Sequence, residues 1–259
     1  MKWAIIAGGS KGIGYSIAEA LAKRKHHLLL IARNDVELNN AKESLEKKFH
    51  IQVEILSCDL SSAESPAQIF KWCSANNRQI NILCNAAGLG GSKDFPDLSG
   101  DELRSMVRTN VESPLTLMLT LLPMLKKNAP SYILNIGSMA GFAPIPIKSV
   151  YSSTKSALHF FSFSLKHMLK ENKITVSCLC PGPVFTKSSI EQETKKQLGW
   201  LGSQLAIEPA LVGELAVRGL FKGKMVIVPG KLAGMISFFL RRLPGPWSAQ
   251  LYHALGKKK

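Results

Sequence analysis

The fold of this chain is indicated first by one stretch near its start, Ala4-Ile5-Ile6-Ala7-Gly8-Gly9-Ser10-Lys11-Gly12-Ile13-Gly14. Its first four residues are apolar and typical of a buried strand, and apolar residues recur at helical spacing after the glycines, from Ile17 to Ala22. A glycine turn between a buried strand and a helix presents backbone N–H groups and the positive end of the helix dipole to a phosphate. The stretch therefore predicts a βαβ unit with a phosphate-binding first turn.

Apolar runs and amphipathic segments alternate along the rest of the chain, as far as about Pro229. Strands are predicted at 28–32, 52–58, 80–84, 132–136, 174–180 and 225–228. Such alternation predicts an α/β fold with a doubly wound parallel sheet, the Rossmann fold. With 259 residues and 46% apolar content, the chain can bury one sizeable core, so we expect a single domain over residues 1–230.

The segment 138–155, S-M-A-G-F-A-P-I-P-I-K-S-V-Y-S-S-T-K, holds the strongest candidates for chemistry. Tyr151 and Lys155 are four residues apart at the start of a predicted helix, so they share one helix face. We expect the Lys155 ammonium to lower the pKa of the phenol from about 10. Ser138 follows a predicted strand, at the edge where open α/β sheets bind ligands. A tyrosine and a lysine also occur together on ordinary helix surfaces, so the interpretation depends on the other motifs.

The second predicted strand ends at Arg33-Asn34. An acidic residue at this place binds the ribose 2′-hydroxyl of NAD, whereas an arginine suits a 2′-phosphate. Lys11, inside the glycine turn, would add a second cation near that phosphate. We therefore predict a preference for NADP(H). Asp35 is expected to be the N-cap of the next helix.

The charge and cysteine content bear on partners and location. Dispersed surface lysines account for much of the net charge of +15, and an anionic cofactor, substrate carrier or lipid could also profit from it. Nucleic acid is not expected as a partner, because the basic residues are not interleaved with aromatic ones. The five cysteines lack metal-ligand spacing, so we expect no metal site, and we expect Cys178 and Cys180 to point to opposite faces of a strand. Reduced thiols, the early first strand and the lack of a long apolar run predict a cytoplasmic protein without signal peptide or membrane span.

Two segments do not follow the alternation of strands and helices. Segment 184–207 follows the carboxyl end of a strand and carries Trp200 and Leu201, so we predict a substrate lid. Residues 231–259 form a tail with six basic residues, no acidic residue and an apolar spine that contains Trp247. This composition is typical of a helix that lies in a membrane interface. The alternative is that the apolar face packs on the protein's own domain or on a second subunit.

Taken together, these motifs resemble the short-chain dehydrogenase/reductase family over nearly the whole chain to about Pro229. The glycine turn is similar to the family's cofactor motif, and Asp59 matches its adenine-binding aspartate. The segments 85–88 (N-A-A-G) and 181–186 (P-G-P-V-F-T) resemble its N-x-A-G and P-G-x-V-x-T motifs. Asn110, Ser138, Tyr151 and Lys155 fall on its catalytic tetrad in the right order. Ala7 stands where the family usually has threonine, which implies a slightly looser cofactor site.

The resemblance implies a role for each member of the tetrad. Tyr151 would be the general acid in reduction, and Lys155 would bind the nicotinamide ribose and lower the pKa of the phenol. Ser138 would donate a hydrogen bond to the substrate carbonyl oxygen, and Asn110 would hold a water of the proton relay. The implied cofactor-binding set is Gly8, Ser10, Lys11, Gly12, Ile13, Gly14, Arg33, Asn34, Asp59, Leu60, Asn85, Ala86, Ala87, Gly88, Tyr151, Lys155, Pro181, Gly182, Val184 and Thr186.

The sequence therefore predicts an NADPH-dependent oxidoreductase that reduces a ketone or aldehyde. An apolar loop at 142–147 together with the lid favours a lipid-like or acyl substrate, although ordinary packing would explain the same residues. A homodimer or homotetramer is expected, since the family commonly assembles through the helices predicted at 101–125 and 151–170. The alternatives are a non-catalytic NADPH-binding or scaffolding protein and a membrane-docked lipid reductase.

Overall fold

A seven-stranded parallel sheet forms the centre of the protein in a computed structural model, which describes residues 2–90, 93, 95–184 and 207–256. The strands lie in the order β3-β2-β1-β4-β5-β6-β7, and every adjacent pair is parallel. Their bounds are β1 Trp3–Ala7, β2 His27–Ala32, β3 Val53–Ser57, β4 Ile80–Asn85, β5 Ser131–Ile136, β6 Ile174–Leu179 and β7 Val226–Ile227. From β1 the next strands are added on one side as far as β3, and the strands from β4 onward are added on the other side. This change between β1 and β4 is the doubly wound topology expected from the sequence.

Helices cover both faces of the sheet. They are α1 Gly12–Ala22, α2 Asp35–Phe49, α3 Ser65–Ala75, α4 Gly100–Val107, α5 Ser113–Lys127, α6 Ser149–Met168, α7 Pro209–Phe221, α8 Lys231–Leu240 and α9 Gly245–Gly256. Apolar side chains of α1, α2 and α7 pack in one buried cluster, and those of α3, α5 and α6 pack in a second cluster against the opposite face. Strands buried on both faces explain why β1, β2 and β4 are almost continuously apolar in sequence.

The helical region predicted at 101–125 is interrupted where the sequence indicated. A π-type turn, Arg108–Glu112, joins α4 to α5, and Asn110 lies buried within it. Pro114 lies in the first turn of α5, where its missing N–H would have no acceptor within the helix. Such π-type insertions are frequent at functional sites, because they turn one side chain away from the regular helical ladder.

One predicted helix cap was wrong. Asn34, not Asp35, is the N-cap of α2, and its side-chain oxygen accepts a hydrogen bond of 3.0 Å from the backbone N–H of Glu37. Asp35 is instead the first residue of the helix, where its carboxylate suits the positive end of the dipole.

The C-terminal part consists of α8 and α9, and one side of α8 packs beside the active-site loop. Ala233 and Leu240 form a small buried cluster with Met139. Among the helices of the described residues, none has the length and apolarity that crossing a bilayer requires. The predicted lid lies outside the described residues from 185 to 206, and so do Trp200 and Leu201.

Candidate active site

The glycine turn between β1 and α1 is a tight cradle made by the backbone. Gly8 has φ +90°, and a Cβ there would lie 2.5 Å from the backbone nitrogen of Ala87. A Cβ on Gly14 would lie 2.0 Å from the carbonyl oxygen of Gly8, so neither position accepts a side chain. The first N–H groups of α1 have no acceptor within the helix and face this turn. The turn thus fits the pyrophosphate of a dinucleotide.

Backbone hydrogen bonds hold the cradle in place without the threonine hydroxyl that the family usually supplies. The carbonyl oxygen of Ala7 accepts from the N–H groups of Ala86 and Ala87, at 2.8 and 2.7 Å. The N–H of Gly8 donates to the carbonyl of Ile31 at 2.7 Å. The cradle is therefore tied to the ends of both neighbouring strands.

At the end of β2, Lys11 and Arg33 have different surroundings. Lys11 forms an ion pair with Glu37 of α2, and the Ser10 hydroxyl donates to the same carboxylate at 3.2 Å. Arg33 is exposed and lies near enough to Asp59 for its charge to contribute to the lowered pKa of that carboxyl, whose main cause is a hydrogen bond from the Ser61 backbone. Arg33 is thus the better placed of the two cations for a 2′-phosphate, because Glu37 already neutralises Lys11.

Asp59 and Leu60 follow β3 at the same edge of the sheet. The Asp59 carboxylate accepts from the backbone N–H and the hydroxyl of Ser61, at 2.9 and 2.8 Å, and it remains exposed. Leu60 is buried in the core. Only Asp59 of this pair presents a polar group outward at the place where an adenine would lie.

The polar end of β4 is bound into the core by a side-chain network that the sequence did not predict. The Asn85 amide donates to Asn135 of β5 at 2.8 Å, and the Asn135 amide donates to the Ser162 hydroxyl of α6 at 2.9 Å. All three residues are buried. Asn135 therefore links β4 to α6. Gly88 lies against the Lys155 ammonium and the Asn110 side chain, which would be 3.2 and 3.4 Å from a Cβ placed on this glycine. The sequence offered one sign of this network, because Asn135 is an amide residue within the otherwise apolar run 132–136.

Ser138, Tyr151 and Lys155 meet where β5 ends and α6 begins. The Ser138 hydroxyl lies close enough to the Tyr151 phenol to oppose the rise of its pKa. The Lys155 ammonium is buried, donates to the carbonyl of Ile136 at 2.8 Å and lies 5.9 Å from the centre of the Tyr151 ring. Helical spacing thus brings the phenol and the ammonium to one face beside the serine hydroxyl, as the sequence predicted.

The predicted effect of Lys155 on Tyr151 was wrong for this state of the protein. Burial raises the pKa of the phenol, and the hydrogen bond with Ser138 only partly opposes that rise. Burial also lowers the pKa of Lys155 to about 8. The reason is that the ammonium is directed to the Ile136 carbonyl rather than to the phenol oxygen, so desolvation outweighs charge attraction. The phenol is therefore neutral and holds its proton at neutral pH.

Asn110 completes the group from the π-type turn. Its amide donates to the carbonyl of Leu89 and to the Thr154 hydroxyl, at 2.9 and 3.1 Å, and its side-chain oxygen accepts from the Leu89 N–H at 2.8 Å. Both amide hydrogens are used, which leaves one acceptor position of the side-chain oxygen for the expected relay water. Asn110 thus also positions the segment after Gly88.

The segment after β6 is described as far as Val184. Met139 donates its N–H to the carbonyl of Pro181 at 3.0 Å, which fixes Pro181 and Gly182 beside the Ser138 loop. Val184 forms a parallel bridge with Ile207 at the two ends of the predicted lid. Thr186 lies outside the described residues.

The prediction that Cys178 and Cys180 point to opposite faces was wrong. Their sulfur atoms lie 3.6 Å apart, because side chains two residues apart share one face of a strand. The His159 ring lies 3.8 Å from the Cys180 sulfur. His159 follows Lys155 by four residues on α6, and this spacing was the missed signal that the three side chains meet behind the active site.

Known proteins resemble this chain in sequence and in fold over most of its length. The family model for short chain dehydrogenases matches residues 2–197. The chain is 32% identical over 191 residues to very-long-chain 3-oxoacyl-CoA reductase-A of Danio rerio, which covers 72% of this chain and 59% of that relative, so the chain spans about three fifths of its length.

Two solved structures are similar over most of both chains. A short-chain dehydrogenase from Sphingobium yanoikuyae in complex with NADPH has a TM-score of 0.78 at 26% identity, covering 94% of this chain and 96% of that one. L-sorbose reductase from Gluconobacter frateurii, complexed with NADPH and L-sorbose, has a TM-score of 0.79 at 25% identity, covering 88% and 94%. Together with the sheet order, the glycine cradle and the Ser138–Tyr151–Lys155 group, these matches show that the chain belongs to the short-chain dehydrogenase family.

Proposed function

We propose that this protein is an NADPH-dependent reductase of a ketone or aldehyde group on an apolar, acyl-type substrate. The observation that carries the proposal is the placement of two neighbouring hydroxyls, those of Ser138 and Tyr151, at the carboxyl end of β5 next to the buried Lys155. Bound NADPH supplies a hydride to the carbonyl carbon, which is the chemistry of the cofactor itself. The protein's part is to hold the carbonyl and to deliver the proton.

The two hydroxyls have complementary tasks at the carbonyl oxygen. The Tyr151 phenol holds its proton at neutral pH because burial raises its pKa, so it can transfer that proton to the oxygen as negative charge develops there. The Ser138 hydroxyl donates a hydrogen bond to the same oxygen and stabilises the charge. Lys155, anchored to the Ile136 carbonyl, supplies a positive charge that stabilises the phenolate left after the proton has been transferred.

The preference for NADP(H) is supported by charge at the end of β2. Arg33 is exposed there, at the position where an NAD-selective site usually has an acidic residue. Two structural relatives at 25–26% identity are described as complexes with NADPH. Lys11 is already paired with Glu37, so we expect Arg33 to be the main determinant of the preference.

An acyl-type substrate is supported by the apolar loop after Ser138 and by the relatives. Phe142, Ala143 and Ile145 are committed to packing, but Pro144 and Pro146 remain exposed as an apolar wall. Curated relatives at 31–32% identity are named very-long-chain 3-oxoacyl-CoA reductases. A 3-oxoacyl thioester is therefore the first substrate class to test.

The test is a carbonyl panel with NADPH, read by the loss of nicotinamide absorbance. The panel contains 3-oxoacyl thioesters of increasing chain length, a steroid ketone and L-sorbose. We expect turnover that rises with acyl length and falls at least tenfold with NADH. Tight NADPH binding without turnover of any member would support the alternative, a non-catalytic NADPH-binding protein. Turnover of L-sorbose alone would refute the apolar substrate.

A further inference from the structure

We propose that His159, Cys178 and Cys180 form a site for a soft divalent cation, zinc in the first place. The Cys178 and Cys180 sulfurs lie 3.6 Å apart, and the Cys180 sulfur lies 3.8 Å from the Nδ1 of His159. All three donor atoms lie within 4.8 Å of one another, and all three side chains are buried.

These separations are close to the edges of a zinc coordination tetrahedron. Zinc–sulfur bonds of about 2.3 Å and zinc–nitrogen bonds of about 2.0 Å place two sulfurs about 3.8 Å apart and a sulfur and a nitrogen about 3.5 Å apart. The ligand set of two thiolates and one imidazole is one that zinc prefers. Small movements of the three side chains therefore suffice to bind the ion.

The surroundings suit thiolate ligands held in place by other groups. Both sulfurs pack against the backbone at Gly137, where a Cβ would lie 2.9 and 3.0 Å from the Cys178 and Cys180 sulfurs. The His159 ring is held by edge contacts with Phe142 and Phe163, with ring centres 5.1 and 5.0 Å away. These contacts restrict the rotation of the imidazole ring.

Charge balance also favours the ion. Two thiolates and a neutral imidazole cancel the charge of a divalent cation, so the loaded site buries no net charge beside the Lys155 ammonium. The ion would tie α6 to the end of β6, directly behind Ser138. We therefore expect zinc to stabilise the folded protein.

The experiment loads the full chain with zinc during refolding, removes free metal and measures bound zinc by elemental analysis. We expect about one zinc per chain and a higher thermal midpoint than for metal-free protein. The double variant Cys178→Ala/Cys180→Ala and His159→Phe should each lose the zinc. The matched control is Cys84→Ala, which removes another buried thiol, on β4, and should retain it.

A measurement on the wild-type protein keeps the proposal testable even if the variants fail to fold. X-ray absorption of the bound zinc should show two sulfur neighbours and one imidazole nitrogen. A shell of nitrogen and oxygen only, the absence of stoichiometric zinc, or equal loss in Cys84→Ala would overturn the proposal.

A separate observation leads us to propose that α8 docks on an anionic membrane surface. Met235, Phe238 and Phe239 are 55%, 48% and 60% exposed and share one side of the helix, whereas Ala233 and Leu240 on the other side are buried. Trp247 of α9 is 66% exposed as well. Internal packing, the alternative weighed from the sequence, thus covers only one side of α8.

Charge decides which partner fits this apolar stripe. Exposed Arg241 and Arg242 follow it directly, and residues 231–259 contain six basic residues and no acidic one. Each basic residue near an anionic lipid surface adds electrostatic attraction, which salt weakens. A stripe of aromatic residues with a purely basic border fits the headgroup boundary of an anionic bilayer.

Co-sedimentation of the full chain with vesicles tests this. We expect binding to phosphatidylserine-containing vesicles that falls at least tenfold in Phe238→Ser/Phe239→Ser and decreases at high salt. The matched control, Val36→Ser, removes an exposed apolar side chain on α2 and should bind normally. Equal binding to neutral and anionic vesicles would overturn the proposal. A second result would also overturn it: wild-type protein that binds no vesicles, together with an α8 variant that dissociates a dimer.

Discussion

Replacing Lys155 with methionine should stop catalysis and yet stabilise the cofactor-free protein. The ammonium is buried, and its pKa is lowered from 10.5 to about 8, chiefly by desolvation. At about 1.4 kcal/mol per pKa unit, keeping the charge in the fold at pH 7 costs about 3 kcal/mol. The lost hydrogen bond from the charged ammonium to the Ile136 carbonyl opposes this by about 2 kcal/mol. Lys155→Met should therefore gain about 1 kcal/mol at pH 7, or roughly 2–4 °C in thermal midpoint for a chain of this size.

The pH dependence of this gain follows from the direction of the pKa change. Below about pH 8 the lysine is charged in both folded and unfolded protein, and the full cost is present. Between about 8 and 10.5 the folded protein loses the proton first, so wild-type stability rises relative to the variant. Urea denaturation of both proteins at pH 7 and pH 9.5 measures this, with the exposed Lys47→Met as control. A variant that is less stable than wild type at pH 7, or a difference that does not shrink at pH 9.5, would refute the reasoning.

Three further predictions concern the cofactor, the core and the assembly. Arg33→Ala should weaken NADPH binding by roughly 10- to 100-fold and should change NADH binding little. Lys11→Ala should weaken NADPH binding less, because Lys11 is already paired with Glu37. Fluorescence titration measures both affinities, and equal losses in the two variants would contradict this prediction. Asn135→Ala should cost at least about 2 kcal/mol in urea denaturation, because it leaves the buried Asn85 amide without its acceptor, and a change below 0.5 kcal/mol would count against the network. A dimer or tetramer is expected in light scattering, since α5 and α6 expose Leu119, Phe160 and Met168; a monomer at micromolar concentration would oppose it.

The fold was predictable because local patterns alone determine it. The apolar strands are buried on both faces, and the glycine turn after β1 excludes side chains, so periodicity and glycine spacing both carried the signal. The Tyr151–Lys155 pair was predictable for the same reason, since helical spacing alone brings the two to one face. Element ends differed from the prediction by only a few residues.

The sequence failed where long-range contacts decide the outcome. The direction of the Lys155 ammonium depends on the Ile136 carbonyl, nineteen residues away, and this reversed the expected effect on the Tyr151 pKa. The Asn85–Asn135 hydrogen bond joins residues fifty positions apart. Burial and partner choice of polar groups follow from packing, which periodicity does not report.

The most direct test of the proposed reaction is deuteride transfer from NADPH labelled at either face of C4 to a 3-oxoacyl thioester. Wild-type protein should place deuterium on the carbinol carbon of the product from one labelled face only. Tyr151→Phe should bind NADPH nearly normally and transfer at least a hundredfold less label, because it lacks the proton that the oxygen must receive. Label transfer at the wild-type rate by Tyr151→Phe, or product without deuterium from both labelled cofactors, would contradict the proposed mechanism.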